Sequence, residues 1–144
     1  MNTTIILIGM PGVGKSSIGK LLSEHLSCPF YDTDTIITRH INMSISDFLC
    51  THSDTDFLSL ENKLIKNYSF DQPAIIATGG SLVYSNEAMF SLKALGSIIW
   101  LKDSIENIQK RVKDLDHRGI IFNDHTSFEN LYQNRLPLYA QYAD

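Results

Sequence analysis

The chain has 144 residues, 43% of them apolar, and sets 12 Lys and Arg against 16 Asp and Glu for a formal charge of −4. A chain of this length buries roughly two-thirds of its extended surface in one domain, and four prolines and eight glycines are too few for a fibrous or disordered composition. The acidic balance argues against a broad phosphate-backbone surface, hence against nucleic acid as partner. No apolar run approaches the roughly 20 residues that cross a bilayer. Two isolated cysteines, Cys28 and Cys50, suit a reducing compartment, the cytoplasm.

Residues 3–8 read TTIILI, a β-branched run suited to a strand buried on both faces of a parallel sheet. A glycine loop follows, and then residues to Leu26 in which Ile18, Leu21, Leu22 and Leu26 recur at helical spacing. Phe30 and Tyr31 predict a second strand before Asp32 and Asp34, at the carboxyl edge where open α/β sheets place ligands. Phe57, Leu58, Glu61, Leu64, Ile65 and Tyr68 predict a helix over 54–68, with Glu61 either facing a ligand or on the helix surface. PAIIA at 73–77 and SIIWL at 97–101 read as two further strands, the first ending in the turn Thr78-Gly79-Gly80-Ser81.

Ile105, Ile108 and Val112 recur along a helix after the fourth strand. Residues 114–126 mix Asp, His, Gly and Asn with Ile120, Ile121 and Phe122 and read as a mobile lid rather than a second domain. Pro137 is expected to interrupt a helix over the aromatic tail. The organisation is one α/β domain, 1–144. It is expected to form a three-layer fold around a central parallel sheet of about four or five strands.

Gly9, Gly14, Lys15 and Ser16 satisfy the phosphate-loop pattern GxxxxGKS, with Gly12 adding freedom inside it. Small residues let the backbone curl its N–H groups around phosphate, Lys15 supplies a compact charge, and Ser16 an oxygen for Mg²⁺. Ser17 follows on the first helical turn, whose donors face the same anion. A tight structural turn would explain the glycines but not the ordered Lys-Ser pair at a helix entrance. Asp32 and Asp34 would face similarly on an extended strand, although the strand end could turn one toward Mg²⁺ and the other toward a substrate; they read as an organiser of Mg²⁺ through water and as the contact to a phosphoryl acceptor. The competing role for each is a solvated turn or a helix cap.

Together GMPGVGKSS, FYDTD, IIATGGS, the interval from Arg111 to Arg118 and RLPLYAQYAD resemble the shikimate kinase family, in order and over nearly the whole chain. The resemblance implies a nucleoside-monophosphate-kinase-like core, ATP and magnesium, phosphorylation of a ring hydroxyl of shikimate, and a place in aromatic amino-acid biosynthesis. It gives Asp34 the acceptor hydroxyl, Asp32 a place near magnesium, and Gly79 and Gly80 the substrate-side turn. It further gives Arg118 the transferring phosphate, Arg135 a substrate carboxylate, and Arg111 a place near adenine.

Three positions depart from the family pattern. Leu58 stands where FRxxE has an arginine for the shikimate carboxylate, Ser81 replaces the third glycine of a GGG turn, and Gly119 replaces a proline after the lid arginine. The resemblance also implies a further strand and helix beyond YAQYAD, carrying part of the adenine pocket.

The chemistry so read is direct transfer from ATP to a small hydroxylated carboxylic acid, with Lys15, Mg²⁺ and Arg118 neutralising charge and Asp34 orienting the acceptor. Two alternatives stand beside it. One is a kinase for another compact polyol acid; the other is an ATP-responsive regulatory module with little catalysis.

Overall fold

In the computed structural model the described residues are 3–112 and 127–144. Strand β1 (Thr4–Ile8) leads through the glycine loop into helix α1 (Lys15–Leu26). Then come β2 (Phe30–Asp32), α2 (Thr33–Ile41), α3 (Ile45–Thr51), α4 (Asp54–Lys66) and β3 (Ile75–Ala77). A 3₁₀ turn (Leu82–Tyr84), α5 (Asn86–Lys93), β4 (Gly96–Trp100), α6 (Ile105–Arg111) and α7 (Phe128–Tyr142) complete the described elements.

The four strands are parallel in the order β2-β3-β1-β4, so β1 lies between β3 and β4 with Ile6 opposite both Ile76 and Ile98. Successive side chains of a strand face opposite sides. Ile6 and Ile8 accordingly join Ile76, Ile98, Ile65, Met89, Leu92, Leu131 and Tyr139 in the main core, while Leu7 faces α1 with Phe30, close against Gly19. This alternation gives the sheet helices on both faces, the layered α/β arrangement expected from the sequence. A satellite cluster of Ile37, Ile45, Phe48 and Phe57 ties α2, α3 and α4 together.

The short helices declare themselves by their caps. Ser44 accepts from Asp47 N, and Ser53 with Asp56 forms a reciprocal capping box, two orphan donors satisfied at the entry to α4. The helix expected over 54–68 ends at Lys66. Pro137 does not break the tail: α7 runs unbroken past it. The ring removes one helical donor and costs roughly 3 kcal/mol in a helix interior. Pro137 and Gln133, whose carbonyl loses its bond, lie on the exposed side, while Leu131, Arg135, Tyr139 and Tyr142 bury the opposite side. Burial of that stripe offsets the lost bond.

Among the described residues no helix is long and apolar enough to cross a membrane. The lid expected at 114–126, and with it Arg118 and Gly119, lies outside the described residues.

Candidate active site

The glycine loop connects β1 to α1 through three residues of positive φ: Gly9 at 149°, Gly12 at 82° and Gly14 at 108°. Two of these are enforced by packing as well as by φ. A Cβ on Gly12 would run into Val112, and one on Gly9 would lie 2.6 Å from the Leu101 carbonyl oxygen. Gly14 caps α1 without any side-chain hydrogen bond, so the first N–H groups of the helix are left to the loop's concave side. Lys15 is buried and folds back over the loop, its Nζ donating to the carbonyls of Gly9 at 2.6 Å and Met10 at 2.9 Å.

Across the cleft, Ser16 Oγ donates to Asp32 Oδ2 at 2.5 Å. Asp32 Oδ1 accepts from the backbone of Asp34 at 3.0 Å and Thr35 at 3.4 Å, which makes Asp32 the N-cap of α2. Of the two arrangements their spacing allowed, the aspartates take the one in which the chain turns at the strand end. β2 ends at Asp32, and Asp34 sits in the first turn of α2. The cap itself turns the chain, separating the carboxylates into two different parts of one cleft.

On the β3 side of the cleft, the turn after the strand is locked by Gly79 N donating to Thr33 Oγ1 at 2.8 Å. The Tyr139 hydroxyl donates to Gly80 O at 3.2 Å. Gly79 is pressed against Asp34 so closely that a Cβ would strike its carboxylate, and a Cβ on Gly80 would lie 2.7 Å from Arg135 Nη1. Arg135 is 1% exposed, projecting from the buried side of α7 with its guanidinium over the Tyr84 ring at 5.5 Å. Burial pushes the Tyr139 hydroxyl up to about 12, despite the nearby Arg135 charge, so it remains a neutral donor.

Ser81 and Glu61 complete this side. Ser81 Oγ donates to Glu61 Oε1 at 3.0 Å, and Glu61 is fully buried, which rules out the surface position that α4 periodicity left open. Burial first, and the Asp34 charge second, push Glu61 up to about 8, against the opposing Ser81 bond and Arg135 charge. The Cβ of Ser81 costs no backbone strain, because the residue lies in the right-handed region at φ −86°, ψ −10°.

One cleft of about 480 Å³ collects most of the sequence-expected residues: Gly12, Gly14, Lys15, Ser16 and Ser17 from the loop side, Asp32 and Asp34, then Gly79, Gly80, Arg111 and Arg135. Gly9 does not line it but lies behind, as an acceptor for Lys15. Arg111 reaches the rim half-exposed and paired with Asp103 at 2.5 Å. Asp103, also held by Ser104 N and Asn107, has its carboxyl below the usual range, chiefly through the Asn107 bond and then the Arg111 bond. Leu58 does not line the cleft; it packs against the satellite cluster. Sequence reasoning missed Ile45, Phe57 and Thr78 as walls and the Glu61–Ser81 bond. The only available signal was Ser44-x-x-Asp47, a cap that places Ile45 at a helix start.

The donor set suits a magnesium nucleoside triphosphate. A glycine cradle at a helix N-terminus takes phosphate oxygens, and a hydroxyl beside a carboxylate offers the hard oxygens Mg²⁺ requires. A parallel sheet whose central strand feeds this loop defines the P-loop kinase fold.

The comparisons narrow that class. The shikimate kinase family model matches residues 11–144. A shikimate kinase of Clostridium botulinum (strain Loch Maree / Type A3) is 37% identical over 140 residues, covering 95% of this chain and 82% of its own length. One from Bartonella henselae is 32% identical over 142 residues, covering 97% and 68%. Among solved structures, the shikimate kinase of Aquifex aeolicus superposes with a TM-score of 0.80 at 30% identity, over 97% of this chain and 83% of that one. A shikimate kinase from Acinetobacter baumannii in complex with shikimate shares the fold at a TM-score of 0.88 and 24% identity, over 98% and 80%. The chain belongs to the shikimate kinase family.

Proposed function

We propose that this chain transfers the terminal phosphoryl group of ATP to a ring hydroxyl of shikimate or of a closely similar small hydroxylated acid. The observation that carries it is one cleft lined by both a phosphate cradle and a buried arginine, with the Asp34 carboxylate against the Gly79 turn. Bound ATP supplies the phosphoryl group, and Mg²⁺ neutralises charge on its oxygens.

The chain's own residues do the rest. The loop N–H groups around Gly12 and Gly14 and those of Ser16 and Ser17 hold the phosphates, and Lys15 leaves the carbonyls of Gly9 and Met10 to meet them. Ser16 would hold Mg²⁺ through its hydroxyl and Asp32 would organise it. Asp34 orients the acceptor hydroxyl and takes its proton. Arg135 clamps the acceptor carboxylate as a fork of charged donors, while Gly79 and Gly80 allow close approach of the ring. Arg111 is assigned to the nucleotide side, Arg118 to the charge on the transferring group, and residues 114–126 to excluding water.

ATP-dependent phosphorylation of shikimate, followed by product detection, tests the reading. Lys15→Ala and Asp34→Asn, checked for folding by circular dichroism, should each lose about 10²-fold or more of the transfer rate. Unchanged transfer in both folded variants would refute the assigned roles.

A further inference from the structure

Ser81 is 6% exposed and still lines the acceptor end of the cleft, beside Gly80 and Arg135. Its hydroxyl points away from open solvent and onto Glu61 Oε1. The other Glu61 oxygen, Oε2, is buried and has no hydrogen-bond partner among the described residues. A fully buried carboxyl with one donor on one oxygen sits close to the balance between its charged and neutral forms, because burial penalises the ion by an amount that one hydroxyl only partly offsets.

Three described residues act on Glu61. Asp34 from α2 opposes its ionisation, while Ser81 from the turn after β3 and Arg135 from α7 favour it. Asp34 and Arg135 are also the two residues assigned above to the acceptor, so any charge on Glu61 is felt where the acceptor binds. With Glu61 neutral, Asp34 and Arg135 balance. With Glu61 ionised, this end of the cleft carries a net negative charge and repels a carboxylate.

Building on the function proposed above, we propose that Ser81 is a specificity-determining residue that acts through Glu61. Its hydroxyl sets the charge of the buried carboxyl, and that charge decides whether an anionic acceptor is attracted to Arg135. The elevation of Glu61 to about 8 leaves the carboxyl neutral in neutral solution and ionised in mildly alkaline solution. Since the Ser81 bond favours the ion, removing the hydroxyl keeps Glu61 neutral to higher pH and widens the range in which an acid binds.

The test measures KM for shikimate and for ATP from about pH 6 to about pH 9.5 in the parent, Ser81→Ala, Ser81→Thr and Glu61→Gln. In the parent, KM for shikimate should rise about tenfold through the Glu61 ionisation while KM for ATP follows a different profile. Ser81→Ala should move the midpoint upward by about one pH unit, Ser81→Thr should restore it, and Glu61→Gln should abolish the rise. Identical profiles in parent and Glu61→Gln, or an unmoved midpoint in Ser81→Ala, would overturn the proposal.

Infrared difference spectra of parent minus Glu61→Gln provide a readout that needs no turnover. A protonated carboxyl band should be present near neutral pH and should persist to higher pH in Ser81→Ala. Its absence in the parent also overturns the proposal. A protein that shows the band but phosphorylates no shikimate at any pH refutes the function proposed above and leaves the Glu61–Ser81 pair standing.

Discussion

Ser16 Oγ donates a 2.5 Å hydrogen bond to Asp32 Oδ2, so the start of α1 and the end of β2 share a pair of oxygens at the mouth of the cleft. The same aspartate caps α2 through its other oxygen. The capping role and the metal-binding role proposed above therefore fall on one side chain, and two substitutions separate them. Asp32→Ala should cost about 1 kcal/mol of stability as a lost cap. Asp32→Asn keeps a capping oxygen and should melt close to the parent, yet need about tenfold more Mg²⁺ for half-maximal rate. Thermal melts and Mg²⁺ titrations of the initial rate check both outcomes.

Gly79 has no room for a side chain because the Asp34 carboxylate occupies the space a Cβ would take. Gly79→Ala should displace that carboxylate and lower kcat/KM for shikimate by about 10²-fold, since a misplacement near 1 Å is enough for such a loss. KM for ATP should stay within about twofold of the parent, because the nearest atoms to a Gly79 Cβ all belong to Asp34 and none to the glycine loop. Steady-state kinetics with each substrate varied in turn distinguish this from a general loss of folded protein.

Glu61 links stability to pH with a definite sign. Its carboxyl is lifted from 4.5 to about 8 on folding, so below about pH 4.5 both folded and unfolded chains hold the proton. Between 4.5 and 8 the unfolded chain releases it and the folded one retains it, so this group's contribution falls as pH rises and levels off above 8. Glu61→Gln should gain on the parent across that window, by a few kcal/mol at its upper end as an order of magnitude. Denaturant midpoints of the two proteins at several pH values should diverge upward; parallel curves would count against the buried carboxyl.

Leu58 packs on the satellite cluster of Ile37, Ile45, Phe48 and Phe57. Leu58→Arg should therefore lower the melting temperature by a few degrees, an effect of about 1 kcal/mol for partly lost packing. The new guanidinium should also lower KM for shikimate several-fold by adding a charged donor near the acceptor end. A melt and a shikimate titration read the two effects separately.

The parts of this site legible in the sequence are those built from neighbours in the chain. Gly9 to Ser16 is a loop and a helix entrance within one short stretch, and its φ angles and donors follow from which residues lack a Cβ. The four strands were legible for the same local reason, three as short aliphatic runs and β2 as the aromatic pair Phe30-Tyr31. The helices α2, α3 and α5 were not predicted, although α6, as short as α3, was read from Ile105 and Ile108; a run of seven to nine residues shows few turns, so its period stands out only where the apolar spacing is clean. The strand end at Asp32 was legible, but not the helix that starts beside it, because the cap at Asp32 converts strand to helix in one residue. Pro137 misled because a helix interior was judged by the missing donor alone, without the buried stripe that holds α7.

By itself the sequence determined the phosphate loop, the parallel α/β order and membership in a kinase family, since each is written in local composition and in the succession of motifs. Only the tertiary structure decided that Glu61 is buried rather than solvated, that Ser81 satisfies it, and that Gly79 and Arg135 converge on the same cleft. Those properties depend on which distant segment removes water from a side chain, and no single stretch of the chain carries that information.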